Sequence, residues 1–134
     1  MNIKMIPDAI SFRGKDKNGQ WVYGSLLKKV CADGSEVFEI IPDGHHNGKE
    51  VSKDSIGFHS GFVDIDKNPI YAGDVLAVYK DPIGIVVWDD WYNGFILLDG
   101  DCEAKLSQGL INEYEYKIIG NIVDNPEYKE VKNA

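Results

Sequence analysis

This sequence predicts a mainly β protein, with a β-rich α+β arrangement as its nearest variant, on three observations. Short runs of β-branched and aromatic residues recur along the chain. Clusters of Asn, Asp, Gly and Pro separate them at roughly 8–12 residue spacing, the rhythm of a sandwich or barrel. Only one stretch, 101–113, has helical character, and Gly109 weakens it.

Taken in order, Ile10-Ser11-Phe12-Arg13 alternates apolar and polar residues, and Asp16-Lys17-Asn18-Gly19 supplies the positive-φ positions of a tight hairpin. Trp21 to Leu27 returns as the partner strand. Ala32 to Ser35 turns into the strand Glu36 to Ile41. The polar, glycine-rich Pro42 to Glu50 predicts an exposed loop and a boundary between an N-terminal β-hairpin part, 1–50, and the remainder, 51–126. A strand over 55–64 turns at Asp66-Lys67-Asn68-Pro69. Another covers Asp74 to Tyr79, and Asp81-Pro82 is expected to break it. Gly84 to Trp88 and Gly94 to Leu98 form a hairpin around Asp89-Asp90-Trp91-Tyr92-Asn93. A strand over 116–123 closes the sheet, Asn125-Pro126 ends it, and 127–134 reads as a frayed tail. All parts are expected to pack as one compact unit. Asp16-Lys17-Asn18 and Asp66-Lys67-Asn68 read as one turn chemistry used twice, too little for a duplication.

At 134 residues and 43% hydrophobic, with three Trp, seven Tyr and five Phe, the chain can bury a core without staples. Fourteen basic against twenty-two acidic residues give a net charge of −8, and Arg13 is the single arginine. The lysines are scattered among Asp and Glu. A groove tracking a nucleic-acid backbone needs clustered cations, so this balance disfavours nucleic acid as a partner. The first residues lack the apolar core of a secretory leader and are broken by Pro7, and no stretch approaches the ~20 apolar residues of a membrane span. The expectation is a soluble cytoplasmic protein, with Cys31 and Cys102 as free, partly buried thiols.

Several segments together resemble the YopX family of phage and prophage proteins. That pattern runs from an F-R segment through T-G-L-x-D-x-N-G-x-x-I-Y-E-G-D and V-V-x-W to V-I-G-N-I-x-E-N-P-E. Here stand Phe12-Arg13 and Asp16; Ser60-Gly61-Phe62, Asp64, Lys67-Asn68, Ile70-Tyr71 and Gly73-Asp74-Val75; Val86-Val87-Trp88-Asp89; and Ile119-Gly120-Asn121-Ile122 with Asn125-Pro126-Glu127. The match spans nearly the whole chain. The departures are Ser60-Gly61-Phe62 for T-G-L, Pro69 for the turn glycine and Ala72 for the glutamate, so that glutamate is no required catalytic acid here. The resemblance implies an SH3-like barrel in the C-terminal part. It implies no particular activity, and a phage accessory role is context only.

The motif residues read as architecture. Gly61 and Gly73 suit turn geometry, Tyr71 a strand end, and Asp64 and Asp74 accept backbone N–H groups at strand starts. Gly120 and Asn121 read as structural residues within the last strand, and Pro126 follows its end. Arg13 is expected to hold a carboxylate in a fixed pairing. Asp64, Asp66 and Asn68 open like a calcium loop, but the following glycine and the twelfth-position glutamate are missing, and Val75 stands there. His45, His46 and His59 lack zinc-ligand spacing and read as exposed loop histidines. No metal or cofactor and no nucleophile–base pair is predicted.

The binding candidate is the turn carrying Trp91 and Tyr92 beside Asp89 and Asp90, with Trp88 expected in the core and Asp81, Asp99 and Asp101 flanking. Aromatics on such a turn grip partner peptides. The sequence thus favours a non-enzymatic interaction module with an acidic surface, meeting a host or phage protein. The alternatives are a nucleic-acid-binding barrel and an acidic mimic of DNA, and self-association is open.

Overall fold

A computed structural model describes residues 2–6 and 11–130. Pro7, Ile10 and residues 131–134, on which parts of the sequence reading fall, lie outside them. The chain divides into two compact units, Met1–His59 and Ser60–Ala134, whereas the sequence alone offered the loop before Val51 as the boundary. Charge divides with them. The first unit's sequence carries eight basic and eight acidic residues; the second carries six against fourteen, so the whole excess of −8 belongs to it.

In the N-terminal unit, β1 (Phe12–Lys15), β2 (Trp21–Val30), β3 (Glu36–Pro42), β4 (Lys49–Val51) and β5 (Gly57–Val63, which runs on past His59) lie side by side in the order β4-β3-β2-β1-β5. The β1–β2 hairpin pairs Lys15 with Trp21 across the Asp16–Gln20 turn. Asp16 Oδ1 accepts the N–H groups of Asn18 and Gln20, each at 2.9 Å. Val22, Ile40 and Val51 form the buried centre, with Phe12, Leu26, Phe38 and Ile56 against it. The expected exposed loop 42–50 thus ends in a strand: Val51, beside Phe38, is what draws β4 in.

In the C-terminal unit, β6 (Pro69–Tyr71) lies beside β5. A five-stranded antiparallel sheet combines β7 (Asp74–Val78), β8 (Asp81–Asp89), β9 (Gly94–Asp99), β10 (Cys102–Lys105) and β11 (Lys117–Asn121) in the order β10-β9-β8-β7-β11. The helix α1 (Gln108–Tyr114) connects its two edges. Those edges do not pair with each other, so the sheet stays open, and the expected SH3-like barrel is corrected to an antiparallel sheet. The mainly β expectation holds. Ile70, Leu76, Val86, Leu97, Leu106 and Ile111 make the core, packed by Phe62, Ile83, Phe95, Tyr116 and Ile118.

Three further expectations change. The candidate helix 101–113 splits. Its first part pairs with β9 as β10, and α1 begins only after Ser107, whose Oγ accepts the N–H of Leu110 at 3.1 Å. The strand from Asp74 ends at Val78, but Asp81-Pro82 open β8 instead of breaking the chain's β run. Val78 pairs with Asp81 and Ala77 with Pro82, a bulge follows, and β9 joins only from Ile85, so the missing proline donor is not required by β9. Residues 126–130 form a 3₁₀ turn instead of fraying, with Tyr128 lying close to Gly120.

Candidate functional site

The residues shared by the sequence motifs are strand-end braces. Asp64 is 2% exposed. Its Oδ1 accepts the N–H groups of Asp66 and Asn68, each at 2.9 Å, and its Oδ2 accepts that of Ile118 at 3.2 Å, tying this turn to β11. Asp74, equally buried, accepts the Tyr71 N–H at 2.8 Å. Between them Gly73, at φ 97°, donates to the Val86 carbonyl and accepts from Ile122 N–H, a backbone conformation that a side chain would strain. Gly61 also has positive φ, in the middle of β5.

At the end of β11, Asn121 Oδ1 accepts the N–H groups of Val123 and Asp124, and Asn125 Oδ1 accepts that of Asn121. A Cβ at Gly120 would lie 2.5 Å from that Asn125 oxygen, so a side chain there would push the Asn125 amide off the Asn121 N–H. Pro126 opens the final 3₁₀ turn. Arg13 is buried with its guanidinium 4.6 Å from the centre of the Trp21 ring, a cation held over an aromatic face.

The histidines do not converge. His45 and His46 are exposed, but His59 is 5% exposed on β5, which corrects its reading as a loop histidine. Among the described residues no three His, Cys, Asp or Glu side chains are grouped to hold a metal ion. Cys31 and Cys102 are free thiols, and both are exposed where partial burial was expected.

The β8–β9 turn differs from these braces because its large side chains face solvent. Trp91 is 94% exposed. Trp88, expected in the core on alternation with Val86, is 49% exposed: it shares that face but sits at the strand's end, past the core residues. Its ring meets Phe95 edge-on at 5.2 Å, and its Nε1 donates to Asp90 Oδ1 at 2.8 Å. Asp89 Oδ2 accepts the Tyr92 N–H at 2.8 Å, and Asn93, at φ 61°, donates its N–H to the Asp89 carbonyl at 2.7 Å. Tyr92 lies over Gly94, within 3.0 Å of a Cβ there. The turn is therefore fixed by its own carboxylates while its aromatics stay in water.

Register decides the neighbours. Asp89 pairs with Gly94, but Asp81 lies at the far end of β8, and Asp99 pairs there with Cys102. The expected flank of Asp81, Asp99 and Asp101 is thus displaced to the other end of the hairpin. Lys105 occupies the near end instead, its Nζ 4.9 Å from the centre of the Tyr92 ring. Sequence reasoning missed it because its position follows only from the β9–β10 pairing, which the helix expectation had hidden.

These features define a β-rich protein of two small units, with motif residues that brace strand ends and one exposed aromatic turn. The chain belongs to the YopX protein family, whose model matches residues 11–129. No curated protein matches it. Among the described residues no helix is long and apolar enough to cross a membrane.

Proposed function

We propose that this chain is a non-enzymatic, phage-type accessory protein that binds a basic partner protein through the β8–β9 turn, in the cytoplasm. Membership of the YopX family supports the phage association. The observation carrying the binding role is Trp91, 94% exposed on a turn held by Asp89 and Asp90. A large ring kept in water by a pre-ordered backbone loses little entropy on docking, and Trp and Tyr dominate binding energies at interfaces. The negative excess of the C-terminal unit speeds encounter with a basic surface and repels an acidic one. Exposed free thiols at Cys31 and Cys102 suit a reducing compartment.

Affinity capture from host lysate, with wild type beside Trp91→Ala and Tyr92→Ala, tests the site. Trp91→Ala is expected to weaken retention of the partner by about tenfold or more with no change in the melting temperature, because the ring is not part of the core. Capture that is indifferent to both substitutions would remove the turn from consideration.

A further inference from the structure

An open groove of about 720 Å³ lies in the C-terminal unit, at the opposite end of β8 from Trp91. With about 3.3 Å of rise per residue, the length of β8 separates the two places by on the order of 25 Å. Ile65, Tyr79, Lys80, Asp81, Tyr114 and Glu115 line it. Tyr79 is 85% exposed and Tyr114 52%, so two tyrosines and Ile65 present apolar surface to water along one channel. Lys117, also on the wall, is engaged with Asp66 at 3.1 Å. That leaves Asp81 and Glu115 against Lys80, an acidic balance within a unit whose sequence charge is −8.

The backbone at Tyr79 is the second observation. Tyr79 and Lys80 alone link Val78 to Asp81, and Tyr79 has φ 57°. A two-residue hairpin wants Gly, Asn or Asp at a positive-φ position, and a bulky aromatic is costly there. The ring repays none of that cost by packing inside the protein, since it stands in solvent. Strain kept without a folding benefit points to a use outside the fold.

We propose that this groove binds an extended, proline-rich peptide segment bearing arginine or lysine. Polyproline II segments carry no internal hydrogen bonds, so their carbonyls are free to accept from tyrosine hydroxyls, and their prolines stack on aromatic walls. The basic residue pairs with Asp81 and Glu115. This site is separate from the Trp91 turn and does not depend on it.

The test is a titration of the whole protein, followed by amide NMR shifts, with three synthetic peptides. The first is proline-rich with two arginines, the second has glutamates for the arginines, and the third has glycines for the prolines. The first peptide is expected to bind and to shift resonances of residues 65, 79–81 and 114–115, and the other two to bind at least about tenfold more weakly. Tyr79→Gly, which relieves the turn, is expected to melt at the same or a higher temperature while losing binding. Trp91→Ala is expected to bind as wild type does. No binding of the first peptide, equal binding of all three, unimpaired binding by Tyr79→Gly, or shifts confined to 88–94 would each overturn the proposal. Shifts at 88–94 alone would still leave the aromatic-turn reading standing.

Discussion

The turn at Asp16–Gln20 in the N-terminal unit and the turn at Asp64–Asn68 in the C-terminal unit share a hydrogen-bond pattern. In each, Asp Oδ1 accepts the N–H groups two and four residues on. The Asp N–H donates to the carbonyl four residues on, and its own carbonyl accepts from the N–H three residues on. Both place the fourth residue at positive φ, Gly19 at 75° and Lys67 at 67°. They differ in surroundings. Asp16 stands at the surface, whereas Asp64 is 2% exposed and spends its second oxygen on Ile118, 54 residues away. One local device thus serves first as a hairpin end and then as a joint between distant strands. The amount that depends on it follows from burial, not from the turn itself.

Removing the carboxyl groups separates the two roles most sharply. Asp64→Ala orphans the N–H groups of Asp66, Asn68 and Ile118 in partly buried surroundings. Ile118 is half-buried while Asp66 and Asn68 are exposed, so at about 1–3 kcal/mol for an unsatisfied buried group the loss should be about 2 kcal/mol. Asp16→Ala exposes its N–H groups to water and should cost much less. Urea unfolding of both variants checks this, and equal losses would show that burial is not what distinguishes the turns.

How far the sequence revealed this pairing is instructive. It showed that one turn chemistry occurs twice, but matching Asp-Lys-Asn to Asp-Lys-Asn set Asp66 against Asp16, while the geometry sets Asp64 there. Residue identity was the wrong guide, because N–H groups at the second and fourth following positions define the device. The same limit appears elsewhere. The β2, β3, β7 and β9 runs, with their local periodicity and flanking glycines, were legible, as was the bracing chemistry of Asp64 and Asp74, whereas the Asn121 and Asn125 side-chain bonds that end β11 were not. Strands β4, β6 and β10 were not, because three or four residues acquire strand geometry only from the neighbour they pair with. At the aromatic turn, alternation placed Trp88 on a face but could not say how far along the strand the core extends. The acidic flank failed for a related reason: closeness in sequence is not closeness across a register.

Exchanging the fourth residues sharpens the comparison at a smaller scale. Glycine reaches positive φ without the steric penalty of a side chain, so Lys67→Gly should stabilise the C-terminal turn by about 0.5–1 kcal/mol. Gly19→Lys should destabilise the N-terminal one by a comparable amount, since nothing lies within 4 Å of a Cβ there and the backbone alone decides. Opposite signs in thermal melts are the expected outcome. Two losses would mean that the Lys67 side chain contributes something its backbone angle does not reveal.

The smallest effect concerns charge at the exposed turn. The Gln20 N–H, and after it the Asn18 N–H with Lys49 and Lys15 nearby, hold the Asp16 carboxyl below its usual value of 3.8, with slight burial opposing. A carboxyl whose folded value is depressed adds stability above its unfolded value, about 3.9, and loses it as pH falls through the folded value. Asp16→Asn keeps an oxygen to accept both N–H groups but removes the charge. Wild type should therefore exceed this variant slightly at neutral pH, and the gap should close as pH falls below the ordinary carboxyl value of 3.8 and through the depressed folded one. Urea midpoints across that range, with a carbon-13 titration of the Asp16 carboxyl, read both quantities. A gap that stays constant with pH would mean that geometry alone, without the charge, sustains the hairpin end.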